Sequence, residues 1–241
     1  MNADPVPFFS IVIPVKNEEA SIPDLAREID TAFAQADFAW EVLWVDDGSN
    51  DATLDLLKTL PKPHRWISFA RNFGQSAAFA AGFREARGEW VGTLDGDGQN
   101  DPNDLIRQLA HGRANNVDMV NGIRQRRQDN IIRKISSKIG NGTRNLITGK
   151  SVTDVGCSTR VVKRRFVADM PFFHGNHRFI PTLAMMAGAT IAEIPVNHRQ
   201  RHGGKSKYGI SNRMFSGLRD CFGVRWLKSR HRAWTIASRA Q

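Results

Sequence analysis

The first half of the chain alternates short apolar segments with amphipathic ones, and this alternation constrains the fold more than any other feature. Residues 10–15 are apolar and rich in β-branched side chains, which predicts a strand. Apolar residues at helical spacing follow, starting at Ser21 with Asp24 three positions later, which predicts a helix whose N-terminus is capped by Ser21. A strand followed by an amphipathic helix is the repeating unit of a parallel sheet.

This strand and helix unit recurs four to five times. Further strands are predicted at residues 41–45, 66–70, 89–94 and 117–120, with helices between them, and later strands are expected near 158–162 and 191–196 with a helix near 178–187. We therefore predict an α/β protein with a Rossmann-like, mostly parallel sheet and helices on both faces.

Charged side chains follow three of the predicted strands. In open α/β sheets, ligands bind beyond the carboxyl ends of the strands, so these side chains are expected along one edge. They are Lys16 and Glu18 after the first strand, Asp46 and Asp47 after the second, and Asp95 and Asp97 after the fourth.

Asp95 and Asp97 flank Gly96, so both carboxylates can reach one small volume. Carboxylates suit Mg²⁺ or Mn²⁺, which prefer oxygen ligands and keep positions open for substrate phosphates. An Asp-x-Asp sequence alone also occurs in ordinary turns and helix caps. Its position after a buried-type strand, aligned with a second pair of carboxylates, favours a metal site.

The composition excludes several classes of protein. With 41% hydrophobic and 24% charged residues, the chain is expected to fold as a globular protein. The uncharged stretch at residues 179–192 is too short to span a bilayer, and no secretory signal is recognised at the N-terminus. Cys157 and Cys221 are too few for a disulfide scaffold. We expect reduced thiols and a cytoplasmic location.

The charge is divided unequally along the chain. Residues 1–112 hold 9 Lys and Arg against 18 Asp and Glu, a net charge of −9, whereas residues 113–241 hold 25 against 6, a net charge of +19. A cationic half attracts polyanions, so nucleic acid, anionic lipid and phosphorylated substrates are candidate partners.

Two basic segments stand out in the second half. A helix is predicted at about residues 130–147, with Arg133, Ser137, Asn141 and Arg144 on one face and no acidic residue between Asp129 and Asp154. A basic, glycine-rich loop follows at residues 199–207. An ordinary solvated helix face remains the alternative for the first segment.

The C-terminal segment combines apolar and basic residues. Phe215, Leu218, Phe222 and Trp226 recur at helical spacing among many Arg and Lys residues, which is typical of an amphipathic segment that lies on a membrane surface. The alternative is a helix that packs on the domain or on another subunit.

Five motifs occur in order and together resemble the family-2 glycosyltransferases with the GT-A fold, in the polyprenyl-phosphate branch typified by dolichyl-phosphate mannose synthase. The resemblance covers residues 8–210. The motifs are residues 9–18 (FSIVIPVKNE), 45–49 (VDDGS), 71–74 (RNFG), 94–99 (LDGDGQ) and 201–208 (RHGGKSKY).

The resemblance implies inverting transfer of a sugar from a nucleotide diphosphate sugar to a polyprenyl phosphate, such as undecaprenyl phosphate. Asp97, Arg133 and Arg201 would act most directly in catalysis. Pro14, Lys16, Glu18, Val45 and Asp47 would line the nucleotide pocket. The family commonly has an aromatic residue where Lys16 stands. Asp95, Asp97 and Gln99 would hold Mg²⁺ or Mn²⁺ and the diphosphate, and Arg124, Arg133, Ser137, Arg201 and Lys207 would bind the acceptor phosphate.

These observations predict a catalytic domain over residues 8–210, with a donor and metal half at 1–112 and an acceptor half at 113–210. Residues 211–241 would form a tail that holds the protein on the inner face of the cell membrane. A homo-oligomer remains possible on this evidence.

Two other functions stay open at this stage. One is a family-2 enzyme that glycosylates a hydroxyl group and needs a carboxylate base, for which Asp154 is a candidate. The other is a basic nucleic-acid-binding protein, although no nucleic-acid-binding module is recognised. The sugar is also open, with galacturonate, mannose and glucose as candidates, as is a catalytic role for His177.

Overall fold

A computed structural model of the chain describes residues 6–125, 142, 144, 146–149, 152–199 and 211–231. Seven strands form one sheet: β1 (Phe9–Val15), β2 (Trp40–Asp46), β3 (His64–Ser68), β4 (Trp90–Thr93), β5 (Met119–Arg124), β6 (Arg160–Lys163) and β7 (Ile191–Val196). The helices are α1 (Ile22–Phe33), α2 (Thr53–Thr59), α3 (Gln75–Glu85), α4 (Asn103–Ala114), α5 (Ile180–Met186) and α6 (Ser211–Arg230).

The sheet is mostly parallel, as predicted. Its strand order is β3-β2-β1-β4-β6-β5-β7, and only β6 runs antiparallel to its neighbours. The sequence did not predict this reversal. Because β6 is antiparallel to β4, Arg160 at its start pairs with Thr93 at the end of β4. The segment that leads into β6 therefore reaches the same edge of the sheet as the loop after β4.

Helices cover both faces, which confirms the second part of the prediction. Alternate strand residues point to opposite sides, so Ile11 and Ile13 of β1 pack in one core and Val12 packs in the other. The first core is covered by α1, α2 and α4, and the second by α3, α5 and α6. Their buried residues include Ile29, Leu57 and Leu105 on one side and Phe79, Leu183 and Val224 on the other.

The start of α1 differs from the prediction. Ser21 itself has helical backbone angles and its side chain caps no backbone N–H. Its hydroxyl instead donates to the Glu18 carboxylate at 3.1 Å. The expected N-cap is therefore wrong, because the turn before α1 already places Ser21 inside a helical turn.

The C-terminal segment contains a 20-residue helix, α6, which continues through Gly217 and Gly223. One side of it packs on the domain through Cys221 and Val224, both buried. None of the helices within the described ranges combines the length and the hydropathy needed to cross a membrane.

Candidate active site

The loops after β1 and β2 form one surface at the carboxyl edge of the sheet, as predicted. Strand pairing places Val15 beside Asp46. The backbone N–H of Asn17 donates to the Ser49 hydroxyl at 2.9 Å, and the N–H of Asn50 donates to the Asn17 side-chain oxygen at 2.8 Å. These reciprocal bonds fix the two loops against each other.

Asp47 holds a neighbouring loop. Its carboxylate accepts the backbone N–H groups of Phe73 at 2.7 Å and Gly74 at 3.0 Å. Gly48 has φ +66°, and a Cβ atom there would lie 2.5 Å from the Arg71 carbonyl carbon, so only glycine allows this approach. The carboxylate thus fixes the 71–74 motif at the start of α3, and contact of Asp47 with a nucleotide stays a prediction.

The other predicted nucleotide residues differ in exposure. Pro14, near the end of β1, and Lys16 and Glu18, on the loop after it, are partly exposed. The Lys16 ammonium lies 3.3 Å from the carbonyl of Asp47, so its positive charge sits at the end of β2. Val45 has no exposed surface, because its side of β2 packs in the core beneath α3. The Val45 side chain thus belongs to the core, and its contact with a nucleotide stays a prediction.

The loop after β4 carries the predicted metal ligands. Asp95 and Asp97 are partly exposed. One oxygen of Asp95 accepts the side-chain amide of Gln75 at 3.0 Å, and one oxygen of Asp97 accepts the N–H of Gln99 at 3.2 Å. A Cβ atom at Gly96 would lie 2.5 Å from Cγ1 of Val15, so this glycine lets the loop pack on β1.

This donor set fits a divalent ion that substrate phosphates help to bind. The two carboxylates supply hard oxygen ligands, which Mg²⁺ and Mn²⁺ prefer. Within the described residues there is no group of three or more His, Cys, Asp or Glu that could hold a metal by itself. Two protein carboxylates leave coordination positions for a diphosphate.

A connection that the sequence did not reveal joins this loop to the end of β7. The backbone N–H of Arg199 donates to the carbonyl of Gln99 at 2.9 Å, and the Gln99 side-chain amide donates to the carbonyl of Arg199 at 3.2 Å. Asn100 and His198 form an antiparallel bridge next to this pair. The basic segment at residues 199–207 therefore begins, at Arg199, beside the candidate metal loop.

Arg124 binds a carboxylate of the protein. Its guanidinium donates to both oxygens of Asp154, at 2.8 and 2.9 Å, and both side chains are mostly buried. Although burial lowers the pKa of Arg124, the hydrogen bonds from Asp154 raise it overall. Arg124 is thus fully charged and paired, and its contact with an acceptor phosphate stays a prediction.

Arg160 is a buried cation near this pair that the sequence reading missed. Its guanidinium donates to the carbonyls of Cys157 and, at 3.4 Å, His177, and burial lowers its pKa. Burial raises the pKa of the Cys157 thiol to about 11, so this cysteine remains protonated and is not a nucleophile at neutral pH. Arg160 lies in the strand predicted near residues 158–162, and that pattern gave no signal that its guanidinium is buried beside Arg124 and Asp154.

His177 lies beside the start of α3. Its Nδ1 atom is 2.7 Å from the hydroxyl of Ser76, which also accepts the N–H of Gly175 at 2.9 Å. Because Ser76 follows Gln75, these bonds connect the turn at residues 175–177 to the start of α3, where Gln75 contacts Asp95.

Arg133, Ser137, Arg201 and Lys207 lie outside the residues that the structure describes.

A mostly parallel sheet with a paired-carboxylate loop at its carboxyl edge is typical of enzymes that bind nucleotides and a divalent metal. Comparison with known families is more specific. Residues 10–170 match the family described as Glycosyl transferase family 2, and the chain belongs to this family.

Curated relatives and solved structures agree with this membership. The chain is 39% identical over 213 residues to the undecaprenyl-phosphate 4-deoxy-4-formamido-L-arabinose transferase of Salmonella choleraesuis (strain SC-B67), and the match covers 87% of this chain and 65% of the relative. The same enzyme from Salmonella typhimurium is also 39% identical over 213 residues, with the same coverage. The chain thus spans less than two thirds of these relatives.

Structural neighbours share the fold at low sequence identity. Glucosyl-3-phosphoglycerate synthase of Mycobacterium tuberculosis, in complex with Mn²⁺, UDP and glucosyl-3-phosphoglycerate, superposes with a TM-score of 0.67 at 17% identity, covering 90% of this chain and 81% of that one. S. aureus TarS in complex with UDP-GlcNAc gives a TM-score of 0.60 at 18% identity, covering 91% and 66%. The GT-A fold expected from the sequence is confirmed.

Proposed function

We propose that this protein transfers a sugar from a nucleotide diphosphate sugar to a polyprenyl phosphate of the undecaprenyl type. One structural observation carries the proposal: the acidic loop at Asp95 and Asp97 is bonded, through Gln99, to Arg199, the first residue of the basic segment at residues 199–207. A donor diphosphate needs the divalent ion that the acidic loop would hold, and an acceptor phosphate needs the basic segment. The acceptor class is that of the relatives at 39% identity, which are undecaprenyl-phosphate transferases.

Asp95 and Asp97 would hold Mg²⁺ or Mn²⁺ together with the donor diphosphate, with Gln99 beside them. When bound, the ion stabilises the negative charge that develops on the departing diphosphate. Gln75 fixes the orientation of Asp95 through the 3.0 Å bond to its carboxylate. Pro14 lies near the end of β1, and Lys16 and Glu18 lie on the loop after it, where Lys16 can add a positive charge for the nucleotide.

The acceptor needs no catalytic base. A phosphomonoester has a second pKa near about 6, so at neutral pH it is largely a dianion and already nucleophilic. Its oxygen attacks the anomeric carbon as the bond to the diphosphate breaks on the opposite face, which inverts the configuration. The protein must position the two reactants and balance their charges. Arg133, Ser137, Arg201 and Lys207 are proposed for the acceptor phosphate on the resemblance alone.

The alternative with a hydroxyl acceptor is less well supported. It needs a carboxylate that can take a proton from the acceptor. Asp154, the candidate, has both oxygens bonded to the guanidinium of Arg124. An ion pair of this kind stabilises the carboxylate and makes it a weak base.

We also propose that α6 binds the enzyme to an anionic membrane surface. Leu218, Phe222 and Trp226 recur at every fourth position and are 40%, 57% and 64% exposed. Arg219 and Arg230 are exposed on the same helix. Apolar side chains surrounded by cations suit the headgroup region of anionic lipid. Binding there would bring the basic half to the phosphate of a lipid acceptor.

The proposal is tested by incubating the protein with undecaprenyl phosphate, Mn²⁺ and a panel of sugar nucleotides. We expect one donor to yield a polyprenyl-phosphate sugar with inverted anomeric configuration, and chelation of the metal to stop the reaction. A farnesol acceptor, which has a hydroxyl in place of the phosphate, is the control. Transfer to farnesol at an equal rate, or to no polyprenyl phosphate with any donor, would contradict the proposal.

A further inference from the structure

Arg199 lies at a junction of three parts of the fold. Its guanidinium pairs with Glu28 of α1 at 2.7 Å and with Asp101 at 3.3 Å, and its backbone pairs with Gln99 in both directions. One residue thus connects α1, the candidate metal loop and the chain that leaves β7.

Neighbouring contacts reinforce the same junction. The side-chain amide of Asn197 donates to Asp101 at 3.1 Å, and its backbone N–H donates to Asp104 at 2.6 Å. Although burial raises the pKa of Asp101, bonds from Asn103 and Asn197 and the charge of Arg199 lower it overall. Asp101 and Asp104 lie at the start of α4, directly after the metal loop. The chain that leaves β7 is therefore bonded to carboxylates at the start of α4 as well as to Glu28 of α1.

The guanidinium of Arg199 has two carboxylate partners on two different elements. Glu28 lies on α1, and its partly exposed carboxylate accepts a hydrogen bond from Arg199 at 2.7 Å. The pairing with Asp101 reaches the residue four positions after Asp97. Arg199 is the first residue of the basic segment proposed for the acceptor phosphate, and it is bonded to the loop proposed for the donor. It therefore holds these two parts of the site against each other.

We propose that Arg199 is a positioning residue, which holds the metal loop and the start of the basic segment in the relative arrangement that transfer requires. This inference rests on the proposed function. Its side chain bonds to the carboxylates of Glu28 and Asp101, so it acts through these residues and not by touching the reacting atoms. Its bonds to Gln99 use the backbone and remain in every Arg199 variant. Transfer depends steeply on relative placement, because a displacement of about 1 Å can reduce the rate about 100-fold.

Turnover measurements on Arg199→Gln, Arg199→Lys and Glu28→Gln test the proposal. For Arg199→Gln we expect kcat to fall about 10- to 100-fold while donor affinity changes less than about twofold, since the donor ligands remain. Arg199→Lys keeps the charge and should recover part of the loss. Glu28→Gln removes the ion pair between Glu28 and Arg199. It should lower kcat about fivefold, which corresponds to the energy of about 1 kcal/mol that a partly exposed ion pair contributes.

The sign of the Glu28→Gln effect separates positioning from simple electrostatics. Removing a negative charge near two anionic substrates would raise turnover if charge alone mattered, whereas loss of positioning lowers it. Asp24→Asn is the matched control, because Asp24 lies on the same helix and forms an ion pair with Arg27 at 2.6 Å. It removes one negative charge, as Glu28→Gln does, without removing a bond to Arg199.

Hydrogen exchange gives a readout that needs no substrate. Arg199→Gln and Glu28→Gln should increase exchange in peptides covering residues 94–101, and Asp24→Asn should not. If the wild type transferred sugar to no polyprenyl phosphate, the proposed function would fail while this comparison still tested Arg199. The positioning role is overturned if exchange in all three variants matches the wild type, if Glu28→Gln raises turnover, or if Arg199→Gln loses donor affinity as much as kcat.

Discussion

The carboxylate of Asp154 accepts three hydrogen bonds from Arg124: two from the guanidinium, at 2.8 and 2.9 Å, and one from the backbone N–H at 3.2 Å. This pair attaches the segment before β6 to the end of β5. The sequence suggested Arg124 for the acceptor phosphate and Asp154 as a base for a hydroxyl acceptor. In the structure these two side chains bond to each other.

Asp154→Asn separates the two acceptor hypotheses. With a phosphate acceptor, we expect turnover to remain within about tenfold of the wild type and the pH profile to keep its shape, because no proton is removed by Asp154. Unfolding should require about 3 kcal/mol less free energy, because Arg124 would keep an uncompensated, mostly buried charge. Rates measured from pH 4 to 9 check this. Loss of turnover by about 1000-fold, with the acidic limb of the profile gone, would favour the hydroxyl acceptor, because a carboxylate base must be deprotonated to act.

Asp97→Ala should abolish metal-dependent donor binding without weakening the fold. Asp97 is a partly exposed loop residue, so its removal costs the core nothing, whereas the diphosphate would lose one of two protein carboxylates at the metal. Titration of donor with and without Mn²⁺, together with thermal unfolding, checks both effects. Asp55→Ala, on an exposed turn of α2, is the control. Normal metal-dependent binding by Asp97→Ala would refute the metal assignment.

Asp47→Ala should instead destabilise the protein. Removing the carboxylate leaves the N–H groups of Phe73 and Gly74 without their acceptor, and each lost hydrogen bond at this partly buried position costs about 0.5–1.5 kcal/mol. Urea unfolding measures this loss. Because Gln75 follows Gly74, we also expect weaker metal-dependent donor binding. An unchanged unfolding free energy would show that the carboxylate does not hold the 71–74 loop.

The sequence predicted the parts of the site that lie on strand ends. Apolar runs followed by carboxylates locate Asp47 and Asp95 at one edge, since parallel strands end together. It could not predict which carboxylates point into the protein, because Asp46 and Asp47 look alike in sequence and their orientation depends on distant partners such as Ser68 and Gly74.

Other features depend on contacts between segments far apart in sequence. The antiparallel direction of β6 is seen in its pairing with both β4 and β5, and a four-residue strand of sequence RVVK does not encode its direction. Likewise, the bond between Gln99 and Arg199 joins residues 100 positions apart. Val45 was assigned from a family motif, and strand alternation shows why it is buried.

Asp118 should control stability in acid. Although burial raises its pKa, bonds from Thr190 and Lys163 lower it overall to about 2, below the ordinary value of 3.8. A lowered pKa stabilises the fold above about pH 4, and this contribution is lost as the pH falls toward 2. Asp118→Asn should lower the unfolding free energy by about 1–2 kcal/mol at pH 7.

The measurement for Asp118 is urea unfolding at pH 7 and at steps from pH 4 to pH 2. The difference between wild type and Asp118→Asn should shrink over that interval, because protonation removes the same charge. Asp55→Asn, whose carboxylate is mostly exposed, is the control and should follow the wild type. A difference that stays constant down to pH 2 would contradict the lowered pKa.

Membrane binding by α6 can be tested without removing the helix. Cys221 and Val224 are buried in the domain, so a truncation that starts before them would remove core residues and unfold part of the protein. Replacing the exposed residues Leu218, Phe222 and Trp226 with Gln leaves this packing in place. Each aromatic side chain that enters the headgroup region contributes about 1.5–3 kcal/mol, so the triple variant should bind anionic vesicles at least about 100-fold more weakly.

Sedimentation with vesicles of anionic and of neutral lipid measures this binding at low and high salt. The wild type should prefer anionic vesicles and dissociate as salt rises, since each Lys or Arg near such a surface contributes about 1 kcal/mol and is screened by ions. Trp66→Gln is the control, because Trp66 is also exposed, at 42%, but lies on the edge strand β3. Unchanged vesicle binding by the triple variant, or equal loss in Trp66→Gln, would show that α6 is not the membrane contact.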